Sequence, residues 1–79
     1  MTNKEKYDKI FIESFSLKED ELNDKLVYES VSDWDSVGHM GMIGELEDIF
    51  EIEMETDDII DFSSYDKGKE IMKKYNITI

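Results

Sequence analysis

Apolar side chains recur at steps of three and four residues in two separate stretches: Tyr7, Ile10, Phe11 and Phe15, then Val37, Met40, Ile43, Leu46 and Phe50. Such spacing keeps returning to one face of an α-helix, so the chain is directed toward helices that pack through apolar stripes. Thr2-Asn3-Lys4-Glu5 fits a capping box and predicts a first helix over about residues 3 to 15. A second helix is predicted from Asp35 or Ser36 to about Glu51, with the second stripe turned inward and Glu45, Glu47, Asp48 and Glu51 turned to solvent. Gly38, Gly41 and Gly44 interrupt it, each costing up to about 1 kcal/mol relative to alanine in a helix interior. They mark either close approach of another backbone or ligand, or a helix held by packing despite weak propensity.

Between these helices the periodicity fades from Ser16 to Trp34, where Leu17, Leu22, Leu26, Val31 and Trp34 are spaced as anchors pinning a long loop to the core. Further on, Thr56 or Asp57 can cap a short helix through Ile59, Ile60 and Phe62. Ser63-Ser64 can cap a last helix over about Tyr65 to Tyr75, with Tyr65, Gly68, Ile71, Met72 and Tyr75 facing inward. Asn76 suits the left-handed residue that closes a helix, and Lys73 and Lys74 oppose its negative C-terminal end. The predicted fold is all-α, a small bundle of three main helices plus one short helix and a long first loop.

At 79 residues the chain is expected to be a single domain over 1-79, burying only about 60% of the surface its unfolded form exposes. With no cysteine and a single histidine, His39, it has no disulfide framework and little with which to build a zinc site or a catalytic triad. No N-terminal apolar run reads as a signal peptide and no segment approaches the ~20 apolar residues of a membrane span, so a cytoplasmic protein without membrane insertion is expected. The net charge is −12, and residues 26 to 66 carry thirteen acids and no lysine or arginine. Such a field repels nucleic acid and anionic membranes and attracts proteins with basic patches.

Within the acidic stretch, Asp35-Ser36-Val37-Gly38 places a hydroxyl beside a carboxylate at a predicted helix start. Ser36 has no evident base, oxyanion donor or metal beside it, and a helix start would present its hydroxyl outward, which suits an attachment point better than a nucleophile. Asp35-Ser36-Val37, followed by Leu46-Glu47-Asp48-Ile49-Phe50 and Ile52-Glu53-Met54, resembles the acyl carrier protein family over most of the chain. The resemblance implies an acyl-carrier-like bundle, expected to be monomeric, in which Ser36 carries 4'-phosphopantetheine taken from coenzyme A by a phosphopantetheinyl transferase. It further implies an acyl or aminoacyl thioester on the arm, with a loading ligase and a downstream acyltransferase or synthase as partners, and a carrier that is not itself an enzyme. Asp35 would hold the helix start, Val37 would point into the core and fix where Ser36 faces, and His39 would neighbour the arm. Glu45, Glu47 and Asp48 would dock partners, and Met40, Met42 and Met54 would offer adaptable apolar surface for a buried acyl chain.

Val37 replaces the family's usual leucine, and Gly41 stands where many fatty-acid carriers have a docking glutamate, which points to a specialised lipid, polyketide or related pathway. A Ser36–His39 hydrolase lacks a nucleophile elbow and a group to orient the imidazole. A calcium loop on Asp33, Asp35 and Gly38 fails because Val37 and Gly44 fall where oxygen ligands are needed, so no metal site is expected. The alternative class is an acidic noncovalent module or nucleic-acid mimic that fills a basic groove and has no need of Ser36.

Overall fold

A computed structural model describes all residues 1–79. It consists of α1 (Asn3–Phe15), a single 3-10 turn at Glu19–Glu21, α2 (Ser36–Phe50), the short α3 (Thr56–Asp61) and α4 (Tyr65–Lys73), as expected of an all-α bundle with a long first loop. No helix is long and apolar enough to cross a membrane.

Three of the four helices start on local side-chain caps. Thr2 and Glu5 form the reciprocal box of α1, with bonds of 3.1 and 3.0 Å. The Asp35 carboxylate accepts from the Gly38 N–H at 2.8 Å, and the Ser64 hydroxyl from the Lys67 N–H at 2.9 Å. Each such cap contributes about 1 kcal/mol. The first residue of α3 is preceded by Glu55, which makes no capping bond, so neither Thr56 nor Asp57 plays the predicted part. α4 ends at Lys73, two residues earlier than expected, because Lys74, Tyr75 and Asn76 turn tightly through bonds to Ile71, Met72 and Lys73. Asn76 takes the left-handed conformation expected of it, and Ser16 and Glu51 close α1 and α2 the same way.

Aromatic side chains fill the centre. Tyr7, Phe11 and Phe15 of α1 meet Trp34, Phe62 and Tyr65, with the Phe15 and Trp34 rings stacked at 5.0 Å and Phe11 edge-on to Trp34 at 5.5 Å. Ring pairs of this kind add to the burial of apolar area. Leu17, Leu26 and Trp34 of the loop are buried and Leu22 and Val31 pack beside them, so the predicted anchors hold the loop down. An isolated bridge pairs Val27 with Ser64, and the Tyr28 and Tyr65 N–H groups bond to the Ser63 and Leu26 carbonyls at 2.9 Å, fastening the loop to the start of α4. Burial pushes the Tyr7 and Tyr65 phenols upward from their ordinary range. Both serve as neutral donors, Tyr7 to the Tyr65 carbonyl at 2.7 Å and Tyr65 to the Asp8 carboxylate.

The inner face of α2 differs from the predicted stripe. Met42, Ile43 and Leu46 are buried, whereas Val37 is 80% exposed and Met40 54%. Each three-residue step falls about 60° short of a full turn, so three such steps from Val37 to Leu46 accumulate about half a turn and put the two on opposite sides. Val37 therefore does not point into the core, and Ser36 is held by the Asp35 cap instead.

Candidate functional site

Ser36 occupies the first helical position of α2 and is exposed. The Asp35 carboxylate takes the Gly38 N–H and the Asp35 carbonyl takes the His39 N–H at 2.7 Å, which fixes the first turn. The Ser36 and Val37 N–H groups precede the first helical bond and have no intrahelical acceptor. Gly38 is required by close approach: a Cβ there would stand 1.9 Å from the Asp33 carbonyl oxygen, so the loop before the cap lies directly against the helix. Gly41 and Gly44 face open space, and no contact within the chain requires them.

One side of Ser36 opens on a cleft of about 290 Å³ whose walls include Tyr28, Met40, Ile59, Ile60 and Phe62, with His39 also lining it. A larger groove of about 660 Å³ lies between α1 and α2, with Lys6, Lys9, Glu13 and Glu45 among its walls. Ser36 does not line that groove, and its walls mix both charge signs, so the smaller, mostly apolar cleft is the one that bears on the serine. Of the methionines expected to lend adaptable surface, Met40 lines the cleft, while Met42 and Met54 are buried in the core.

His39 is neither a free surface residue nor a partner for the Ser36 hydroxyl. Its Nδ1 accepts from the Trp34 indole N–H at 3.0 Å, and its Nε2 lies 2.8 Å from the Ile59 carbonyl oxygen. An indole N–H can only donate, which assigns the ring proton to Nε2 and makes His39 donate to Ile59. The planes of the Trp34 and His39 rings are nearly parallel, at 11°. Both nitrogens are thus engaged, and no lone pair remains to activate the serine.

The expected docking acids divide. Glu45 and Asp48 are exposed on α2, but Glu47 is half-buried and its carboxylate accepts the Met54 N–H at 2.9 Å, tying the segment after α2 back onto the helix. Glu47 is therefore a structural brace and not a free docking group. Asp58, which sequence reasoning passed over, is buried and clamps α3 to the end of α4, accepting from Lys74 at 2.8 Å and from the Tyr75 hydroxyl at 2.6 Å. Those bonds hold its carboxyl below the ordinary carboxylate value. Its partners lie sixteen and seventeen residues away, beyond the reach of any local pattern. No three acidic or histidine side chains converge on a common metal position.

Comparison of the chain with protein-family models, with curated proteins and with solved structures gives no match.

Proposed function

We propose that this chain is a phosphopantetheine-dependent carrier of the acyl-carrier type, loaded and unloaded by separate enzymes in the cytoplasm. The observation that carries this reading is the exposed Ser36 at the first position of α2, within Asp35-Ser36-Val37 and at the edge of an apolar cleft. A transferase would join Ser36 Oγ to the phosphorus of the pantetheine phosphate as the pyrophosphate bond of coenzyme A breaks, releasing adenosine 3',5'-bisphosphate and the hydroxyl proton. The resulting phosphodiester would sit at the start of a helix, where the free N–H groups and the dipole offset part of its charge. The thiol at the far end of the arm would carry an acyl or aminoacyl group as a thioester.

Val37, Met40 and Ile60 are exposed apolar side chains, and Glu45 and Asp48 are acids on the same helix as the first two. A partner with an apolar contact patch and a basic rim matches that composition, and the charge of −12 steers the encounter. With Gly41 in place of a docking acid, we assign the carrier to a dedicated partner set in a specialised lipid, polyketide or related pathway.

Intact-protein mass spectrometry after incubation with coenzyme A and a broad-specificity phosphopantetheinyl transferase tests the reading. One phosphopantetheine is expected on the native chain and none on Ser36→Ala, whose fold is checked by circular dichroism. No addition to the folded native chain, also with a transferase from its own host, would leave the acidic noncovalent module as the better account.

A further inference from the structure

α3 is the least self-sufficient helix of the bundle, six residues long with no side-chain cap at its start. An isolated helix of that length does not persist in water, so outside contacts must hold it. Its neighbours Met54 and Phe62 are buried at either end, while Ile60 is 72% exposed. The side facing the end of α4 is clamped by Asp58 with Lys74 and Tyr75, and by the Glu55 N–H, which donates to the Tyr75 hydroxyl at 2.9 Å. On the side facing α2, the Glu47 carboxylate holds the Met54 N–H just before α3, and within α3 itself the polar tie is the bond from His39 Nε2 to the Ile59 carbonyl. Ile59 and Ile60 are at the same time walls of the cleft at Ser36.

We propose that His39 is a positioning residue that latches α3 closed over this cleft, and that the cleft opens by release of the His39–Ile59 bond. The latch is a property of the unmodified chain and does not depend on the carrier reading. Three rings hold the imidazole in place: Trp34 nearly parallel to it at 6.3 Å, Tyr28 edge-on at 5.7 Å and Phe62 at 6.2 Å. With Trp34 fully buried and bonded to Nδ1, the imidazole is fixed on the core side, and only the Ile59 side adjoins a short, weakly capped helix. When the bond breaks, α3 moves away from α2 while the Asp58 clamp holds its other side, and the cleft widens.

The experiment is amide hydrogen exchange on the unmodified chain, residue by residue, together with nitrogen NMR of the imidazole. In the native protein the ring should show one proton, on Nε2. His39→Phe keeps a ring but loses both bonds, and should speed exchange over residues 56 to 61 by about tenfold beyond any change in α1 and α4. His39→Gln, which has one donor and one acceptor, should restore most of the protection in α3. A ring proton on Nδ1, a uniform rise in exchange across all helices in His39→Phe, or no effect on α3 would overturn the latch.

Discussion

Asp58 shows how one carboxylate can hold an element that has little packing of its own. Bonds from Lys74 and Tyr75 lower its pKa from the ordinary 3.8, so the folded state binds its proton less readily than the unfolded chain. Its stabilising effect is therefore complete above 3.8 and is lost as the pH falls below that toward the folded value. Lys74 is shifted upward by the bond to Asp58, so its contribution is complete below 10.5 and is lost as the pH rises through its folded value. Thermal melting of Asp58→Asn should thus fall below that of the native chain at neutral pH, and the gap should close in strong acid. A gap that persists unchanged in strong acid would show that the substitution acts through packing rather than charge. At the same scale His39 and Glu47 trade apparent availability for structural bonds, whereas Ser36 is exposed at the start of α2.

Among the elements, α2 carries the clearest division of labour, with Met42, Ile43 and Leu46 inward and Val37, Gly41, Gly44 and Asp48 outward. Its three glycines have different physical grounds, and stability measurements separate them. Gly38→Ala forces a Cβ against the Asp33 carbonyl and should cost about 1–3 kcal/mol as the loop is displaced. Gly41→Ala and Gly44→Ala meet nothing and should each stabilise the chain by up to about 1 kcal/mol in urea unfolding. On the proposed carrier reading, Gly41→Ala should stabilise the fold yet impair transfer of cargo to a partner, because the bare helix surface serves docking; unimpaired transfer would refute that use. α1 and α2 also share a way of ending: Ser16 and Glu51 adopt left-handed conformations, and Leu17 and Ile52 donate back to Ile12 and Glu47 at 3.0 Å. Neither position has the glycine or asparagine that usually signals such an end.

For the molecule as a whole, a charge of −12 is confined to a body of 28 × 27 × 20 Å. Many acids then lie within the ~10 Å over which charges interact at 0.1 M ionic strength. Moderate sodium chloride should raise the melting temperature through screening, and a flat response in differential scanning fluorimetry would mean that the acids are already balanced by their lysine neighbours. The parts of this architecture that the sequence by itself determined are those built from bonds between near neighbours. The capping box at Thr2, the caps at Asp35 and Ser64, the left-handed Asn76 and the number of helices all depend on residues a few positions apart, where residue type dictates conformation. Ser36 at the start of α2 was legible for the same reason. Tertiary structure alone decided which side of α2 faces inward, because three-residue steps drift around the helix and several apolar faces compete until a partner surface selects one. It also decided that Gly38 meets Asp33, that Asp58 clamps α4 and that His39 joins Trp34 to Ile59. Such bonds form only when packing brings the segments together, and no local propensity records them.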